Sequence, residues 1–436
     1  MSLPANTAEA ISRDLAERTR RRVNRRLMPF LFLLYLVAYL DRVNLGFAGL
    51  SMTNELHFSN AVFGFGSGIF FIGYCLLEIP GALLVEMWSA RKWLARIMIT
   101  WGFLAAGTAW IQTPQQFYWI RFFLGVAEAG FFPGLVVYLS HWYRKEDRGK
   151  ATAMFMTAIP ASQALGAPLS AIFLKINWLG WSGWRWLLII EGLPAIILGV
   201  VTIYYLTDHP RQAKWLPADE RDWLADELER EKSSDKAHVA VWKALRDKNV
   251  LLLCGIYFFG LINNYGLSLW LPKIVQRISN LDVTQVSLIC AIPYFVAVPL
   301  MLVAGWHTDR SGERKWHTAL PRLLAACALL AAAFAADSVT LSVIALSVAI
   351  VGLYCAHPAF WPLPTMLLGR TAAAASIGMI NSFGNLGGFV GPYTIGKLSA
   401  ASGGFYLSLL ALAGCALMSG LLVLLVRVPR GVAPTR

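Results

Sequence analysis

Charged residues are scarce in this sequence. Asp, Glu, Lys and Arg make up 14% of its 436 residues, against roughly a quarter in soluble proteins, while hydrophobic residues make up 57% and mean hydropathy is +0.55. This composition excludes an ordinary soluble domain and places the chain in a membrane. Cysteine is also scarce. All six cysteines lie inside apolar runs and none forms a C-x-x-C pair, so the sequence predicts no disulfide framework, no metal site and no cofactor.

The short alternating strands of a membrane β-barrel are missing too, and long continuous apolar runs take their place. In windows of about 19 residues, twelve runs are long enough to be membrane-spanning helices. They lie at 27–50, 62–86, 94–113, 117–140, 151–175, 184–207, 249–272, 284–305, 319–336, 339–361, 372–396 and 404–427. The sequence therefore predicts an all-α membrane protein with twelve transmembrane helices.

Lys and Arg are concentrated at the termini and in alternate loops. The stretches RTRRRVNRR (18–26), RKWLAR (91–96) and YRKEDRGK (143–150) are basic, whereas the loop at 51–61 contains one acid and no Lys or Arg. By the positive-inside rule, we expect both termini and the polar segment at 208–248 to be cytoplasmic. The sequence thus predicts a multi-pass protein of the inner (cytoplasmic) membrane. Its net charge of +13 reflects this topology rather than a nucleic-acid partner.

The order of the runs divides the chain into two halves. The predicted parts are a cytoplasmic N-terminal segment at 1–26, an N-terminal six-helix bundle at 27–207, a cytoplasmic linker at 208–248, a C-terminal six-helix bundle at 249–427 and a cytoplasmic tail at 428–436. The linker contains LPADERDWLADELEREK (216–232), which indicates a surface helix with solvated charges. Two such halves are typical of carriers that bind their substrate between them near the middle of the membrane.

Two loops carry a repeated pattern. The stretch GWHTDRSGERK (305–315) follows the eighth run, and GALLVEMWSARK (81–92) fills the equivalent loop after the second. The later copy matches G-x-x-x-D-R-x-G-x-R-K, the loop signature of the major facilitator superfamily, which the chain resembles over nearly its whole length. The resemblance implies the major facilitator fold and a gating latch between helix ends. The latch residues it implies are Asp309, Arg310 and Arg314 in the later copy, and Glu86 and Arg91 in the earlier, degenerate one.

Four further stretches are similar to the anion:cation symporter family within that superfamily. They are YLDRVNLGFA (39–48), GYCLLEIPGALL (73–84), ARIMITWG (95–102) and RFFLGVAEAGFFPG (121–134). The family includes carriers of sugar acids, tartrate-like dicarboxylates and aromatic acids. This chain departs from it at Gly81, where relatives commonly have Ser followed by Asn.

Charged residues inside the apolar runs are the strongest candidates for function, because a charge that faces lipid is costly. Arg121 and Glu128 lie seven residues apart, on one face of a helix and about 10 Å from each other. In the first run Tyr39 and Arg42 share a face, and Asp41 is turned about 100° to one side. A guanidinium can bind a carboxylate bidentately, so the arginines are predicted to bind an organic anion, which leaves the acids to carry protons.

Arg42 and Arg121 are therefore the predicted substrate-binding charges, and Glu128 and Asp41 the predicted proton-coupling residues. The family resemblance implies the same roles. An anion that occupies the positive charge makes protonation of the neighbouring acid easier, so substrate and proton favour each other's binding. The alternative is that these charges form buried ion pairs that fix helix register.

Uncharged polar residues in the runs are candidates to complete the pocket. Together with Tyr39, the residues predicted to bind substrate are Tyr74, Gln163, Asn264, Trp361, Asn381 and Asn385, with Asn263 and Tyr265 as neighbouring candidates. An Asn in a membrane helix serves equally well to hold helices together. His357, which precedes Pro358, is interpreted as a hydrogen-bond partner in a gating segment rather than as a proton carrier.

These patterns predict a monomeric secondary transporter that imports a small organic carboxylate together with protons by alternating access. A tartrate-like or sugar-acid anion is the favoured substrate. Aromatic carboxylates are the alternative substrate, and anion exchange is the alternative mode of transport. The sequence contains no metal-ligand cluster, no nucleophile with a paired base and no phosphate-binding glycine loop, so an enzyme or a sensor is not favoured.

Overall fold

The structure is a computed structural model that describes residues 5–233, 246–279, 281–335 and 338–427. At 5–13, 79, 82–83, 86–87, 153, 232–233 and 368–375 it describes the backbone alone. The predicted tail at 428–436 and part of the predicted linker therefore lie outside the described residues.

Within these residues the chain is helical and contains no strand. The helices are α1 (Ala5–Glu55), α2 (Asn60–Met87), α3 (Ala90–Gly107), α4 (Pro114–Glu128), α5 (Phe131–Ser140), α6 (Lys145–Met156), α7 (Ala158–Phe173), α8 (Gly183–Tyr205), α9 (Ala218–Ser233), α10 (Lys248–Ser279), α11 (Val283–Ser311), α12 (Lys315–Phe334), α13 (Val339–Cys355), α14 (His357–Phe360), α15 (Leu363–Ser402) and α16 (Tyr406–Leu425). Each predicted apolar run coincides with one of these helices or with two consecutive ones. The all-α prediction is confirmed.

Nine helical stretches in the described part of the chain are long and apolar enough to cross a membrane. The three runs outside this set are those of α3, α6–α7 and α15. The α3 helix carries three basic residues in its 18, and α6–α7 has Gln163 and two prolines among its apolar residues. The total of twelve spans and the cytoplasmic position of the termini stay predictions.

A break in the fourth apolar run positions one of the predicted proton-coupling acids. Helix α4 ends at Glu128, and Gly130 has a φ of +83°, a left-handed conformation that glycine adopts without strain. Helix α5 then starts in a new direction at Phe131. One turn before the break, a side chain on Gly125 would overlap the Phe70 carbonyl, so glycine lets α4 pack closely on α2.

The helices before and after the linker form two halves that meet along three helix pairs: α1 with α10, α2 with α15, and α7 with α11. Near the loop that joins α1 to α2, the contacts are tight. The Phe63 ring packs edge-on against Trp270 with centroids 5.2 Å apart, and Lys273 Nζ lies 3.4 Å from Asn60 Oδ1. We call this the Asn60 end of the molecule. The predicted topology places it outside the cell, and the two halves are closed together there.

The linker helix α9 packs onto the opposite end of the N-terminal half. Arg22 of α1 forms a 3.0 Å ion pair with Glu220, and Arg18 forms a 3.2 Å pair with Asp219. Glu220 is 1% exposed, whereas the sequence pattern predicted solvated linker charges. The difference arises because α1 extends about six turns before its apolar run and offers a surface on which α9 docks.

Candidate functional site

A buried ion pair joins the first and fourth apolar runs. Arg42 Nε and Nη2 donate to Glu128 Oε1 at 2.9 and 2.5 Å. Glu128 is 1% exposed, and its second carboxylate oxygen has no hydrogen-bond partner in the described structure. The spacing of Arg121 and Glu128 suggested that these two residues share a face, but the acid's direct partner is the arginine of α1.

Aromatic side chains surround the Arg42 guanidinium. Its central carbon lies 4.9 Å from the Tyr39 ring centroid, 5.2 Å from Tyr74 and 5.5 Å from Phe70. Such cation–π contacts hold a charge in place without neutralising it. Arg42 Nη1 also donates to the Tyr265 hydroxyl at 3.1 Å, and this hydroxyl belongs to α10 in the other half. The predicted residues Arg42, Tyr39 and Tyr74 are thus brought together at the interface of the halves.

Arg121 is a buried guanidinium without a carboxylate bound to it. It is 4% exposed and lies 5.0 Å from the Phe70 centroid, and it makes no hydrogen bond or ion pair to another described residue. The carboxylates of Asp41 and Glu128 interact electrostatically with the Arg121 guanidinium without bonding to it. A buried cation without a bonded anion is costly, so this position is suited to an anion that arrives from outside the chain.

Asp41 lies apart from Arg42 despite being its neighbour in sequence. It is 3% exposed and accepts a hydrogen bond from Trp101 Nε1 at 2.9 Å. Asn44, one turn later on α1, lies beside Asp41 and beside Glu191 of α8, outside hydrogen-bonding geometry. Glu191 is 6% exposed, and neither carboxylate oxygen has a hydrogen-bond partner among the described residues. The sequence analysis missed Glu191, although a lone acid in an apolar run was the available signal.

Glu78 is a second acid that the sequence analysis missed, although it lies inside the quoted stretch GYCLLEIPGALL. It is 4% exposed and accepts hydrogen bonds from two predicted residues of α15. Asn381 Nδ2 donates to Oε1 at 2.6 Å, and Asn385 Nδ2 lies 3.4 and 3.3 Å from Oε1 and Oε2. The predicted amide pair therefore faces the site, and in this structure it binds a carboxylate of the protein itself.

The other predicted pocket residues do not contact the arginines. Gln163 of α7 and Asn264 of α10 both lie beside the Tyr354 hydroxyl, so they form a separate polar group between the halves. Trp361 packs against the Tyr257 ring at 5.0 Å. His357 Nδ1 lies 2.8 Å from the Leu353 carbonyl oxygen, in agreement with the predicted hydrogen-bonding role.

A hydrogen bond within α10 accounts for one remaining candidate, Asn263. Asn263 Nδ2 donates to the Phe259 carbonyl oxygen of its own helix at 3.0 Å, and it is fully buried. It is therefore held by its own helix and does not reach the arginines.

The two predicted gating loops have different contacts. In the later copy Arg314 Nη2 donates to Asp309 Oδ1 at 2.7 Å within the loop itself, and Arg310 lies over the Trp306 ring. In the earlier copy the backbone N–H of Arg91 and the Ser89 hydroxyl donate to Asp208, an acid the sequence analysis did not select.

Among the latch residues implied by the resemblance, the Glu86 side chain lies outside the described residues. Arg91 Nη1 also donates to the Ile203 carbonyl oxygen at 3.2 Å and to the Leu206 carbonyl oxygen at 3.4 Å, so it caps the end of α8. The latch roles stay predictions.

Helical halves that enclose buried charges at their common interface are typical of membrane transporters. A sequence model described as "Major Facilitator Superfamily" matches residues 31–392. A protein of Agrobacterium vitis named as a tartrate transporter is 45% identical over 417 residues, 95% of this chain and 92% of that protein. An inner membrane transport protein of Escherichia coli is 36% identical over 94% of this chain and 95% of its own length. A quinolone resistance transporter of Acinetobacter baumannii is 39% identical, with 90% and 92% covered.

Solved structures show the same fold. A bacterial homolog of the human lysosomal transporter Spinster, inward-facing and unoccupied, superposes with a TM-score of 0.77 at 15% identity, covering 91% of this chain and 95% of that one. The inward-open xylose transporter of Escherichia coli gives 0.73 at 15% identity, with 92% and 98% covered. The chain belongs to the major facilitator superfamily. It is a multi-pass transporter of the inner membrane and not an enzyme, as predicted.

Proposed function

We propose that this transporter imports a small organic carboxylate, tartrate or a related hydroxylated acid, together with protons. The observation that supports the proposal best is the Arg42–Glu128 pair beside the unpaired Arg121. The Agrobacterium vitis relative named as a tartrate transporter supports the choice of substrate.

The geometry suggests how substrate and proton are coupled. A carboxylate that binds Arg121 and Arg42 takes the guanidinium away from Glu128. Glu128 then keeps a buried negative charge beside a second anion, an arrangement that protonation relieves. Substrate and proton therefore bind cooperatively and by the same factor. A proton that enters a cell with a −100 mV interior gains about 2.3 kcal/mol, which offsets the entry of one negative charge, so a dicarboxylate with two negative charges requires two protons for electroneutral entry.

Asp41 is the second proposed proton site. It acts on Arg121 through space and lies one hydrogen bond from Trp101, so its charge also changes when an anion occupies Arg121. In this proposal Glu128 responds directly to the substrate and Asp41 responds through Arg121.

Aromatic carboxylates are the alternative substrate class. The rings of Tyr39, Phe70 and Tyr74 around Arg42 favour it, because they offer stacking surfaces to a ring beside a bound carboxylate. A transport panel that includes tartrate, galactonate and benzoate separates the two classes.

The deciding experiment is uptake of labelled acids by proteoliposomes, with and without an inward proton gradient. Wild type is compared with Glu128→Gln and with a matched control, Glu229→Gln, whose side chain is 71% exposed on α9. We expect gradient-driven accumulation by wild type and the control, and counterflow alone by Glu128→Gln. Equal accumulation by all three would remove Glu128 from the coupling mechanism, and uptake of no acid by wild type would reject the proposed function.

A further inference from the structure

Glu78 differs from the other buried acids of the N-terminal half in where its partners lie. Glu128 is bound by an arginine and Asp41 by a tryptophan of the same half. The described hydrogen bonds of Glu78 come from Asn381 and Asn385, which belong to α15 of the other half. The Glu78 carboxylate therefore links the halves directly.

The contacts between α2 and α15 begin at the Asn60 end and continue along both helices. Gly64 lies against Pro392 and Gly396, and Gly68 lies against Phe389. Deeper in the interface, Cys75 Sγ lies 3.8 Å from the Ser382 carbonyl oxygen.

Glu78 and its two amides make the deepest of these contacts. One turn further along α15, an added Cβ at Gly378 would meet no described atom within 4 Å. Among the described side chains, the Glu78 cluster is thus the last of these contacts between α2 and α15.

The amide pair lies close to the proposed carboxylate site. Tyr74 packs on Arg42 and precedes Glu78 by four residues of α2, a separation of about 6 Å along the helix. Asn381 and Asn385 already donate to a carboxylate, so their geometry suits a carboxylate or hydroxyl of a bound acid as well.

We propose that Glu78 is a tethered competitor for the substrate. Its carboxylate occupies the Asn381–Asn385 pair in the absence of substrate, and the far polar group of the bound acid displaces it from these amides. The displacement removes the hydrogen bonds that join α2 to α15 at Glu78. Substrate binding thereby loosens the interface that must rearrange during alternating access. The inference rests on the proposed function for the identity of the acid, but the tie itself exists without substrate.

The hydrogen-bonded link that Glu78 forms between α2 and α15 is tested first, in the absence of substrate. Cys75 is labelled with a maleimide in protein whose other five cysteines are replaced by Ala. We expect Glu78→Ala to speed labelling about tenfold, because one to two hydrogen bonds across the interface are lost. Glu78→Gln, which keeps an acceptor of the same shape, gives an intermediate rate and shows that the fold is intact. Labelling of both variants at the wild-type rate would overturn the proposal.

Competition is tested by calorimetric titration with L-tartrate. Removal of the competitor in Glu78→Ala is expected to tighten binding about tenfold. The same change in an Asn381→Ala/Asn385→Ala background is expected to have no effect, because the contested donors are gone. Weaker or unchanged binding by Glu78→Ala with the amides present would contradict the proposal. If wild type binds no acid, the proposed function fails, and the labelling result still decides the role of Glu78.

Discussion

Buried charge is distributed unevenly between the two halves of this transporter. The described helices of the N-terminal half contain four buried acids, the buried Arg121, and Arg42, whose side chain is 13% exposed; of these, Arg42 and Glu78 form hydrogen bonds across the interface. The C-terminal half places hydroxyl and amide groups, such as Tyr265 and Asn385, opposite them. Its buried Arg322 is directed inward, where it donates to Ser419 Oγ at 2.7 Å and to the Ile256 carbonyl oxygen at 3.4 Å.

This difference suggests that the two halves have different roles in transport. Charges that must respond to an anion and to protons need to be close enough to act on one another, and one half supplies them all. In the proposed mechanism, the other half supplies neutral groups that recognise the remainder of the substrate. The comparison predicts that equivalent substitutions in the two halves have different consequences.

The largest effect is expected for Arg42→Gln compared with Arg322→Gln. Loss of Arg42 leaves Glu128 without a partner and removes the proposed carboxylate site, so uptake is expected to fall at least about 100-fold, the size of breaking a buried pair. Arg322→Gln breaks contacts inside one half and is expected to lower the melting temperature while the KM of the remaining folded protein stays near wild type. Uptake by proteoliposomes measures the transport rate and KM, and thermal melting in detergent measures stability. A similar rise in KM for the two variants would abolish the distinction between the halves.

The second effect concerns two acids that share Asn44 as a neighbour. Asp41→Asn is expected to lower gradient-driven uptake about tenfold or more and to leave counterflow intact, because the proposed proton site is lost while the Trp101 bond can still form. Glu191 lies beside Asn44 outside hydrogen-bonding geometry, and neither of its carboxylate oxygens has a hydrogen-bond partner among the described residues, so an amide in its place breaks no bond. Glu191→Gln is therefore expected to transport within about twofold of wild type. Loss of gradient-driven uptake in Glu191→Gln would instead indicate that Glu191 is a proton site.

A smaller effect is expected in the C-terminal half from Asn264→Ala. If this half recognises hydroxyl groups, the KM for tartrate rises about fivefold to tenfold, as one hydrogen bond is lost. The KM for succinate, which lacks the hydroxyls, stays unchanged, as does the dependence of uptake on the proton gradient. Equal changes for both acids would argue that Asn264 holds helices together.

The smallest effect is expected in the loop of the C-terminal half. Burial raises the pKa of Glu313, but hydrogen bonds from the backbone N–H groups of Trp316 and His317 and from the His317 ring outweigh burial and hold its pKa below the usual range. A lowered pKa in the folded state means that ionised Glu313 stabilises the fold above pH ~4.3 and that this contribution is lost as pH falls through the folded value. Glu313→Gln is expected to cost about 0.5 kcal/mol at pH 7 and nothing at low pH. Melting curves across this pH range, with Glu229→Gln as control, check the sign.

The fold could be predicted from the sequence because each membrane-spanning helix is identified by its own local run of apolar residues. Each long apolar run must satisfy its backbone hydrogen bonds within itself, so its helical state does not depend on its neighbours. The same reasoning applied to charges within the runs selected Arg42, Arg121, Asp41 and Glu128, which the structure places near one another. Glu78 and Glu191 met the same criterion and were overlooked, since no helical spacing tied them to a second charge in their own run.

The sequence could not specify which buried polar side chains contact one another. The residues themselves determined a helical membrane protein, its two halves and the presence of costly charges, because these follow from local hydropathy and chain order. Tertiary structure alone decided that Glu128 pairs with Arg42 rather than with Arg121, that Asp41 turns to Trp101, and that Glu78 reaches across to Asn381. These partners lie on helices 60 to 303 residues apart in the chain, and their contacts depend on how whole helices pack.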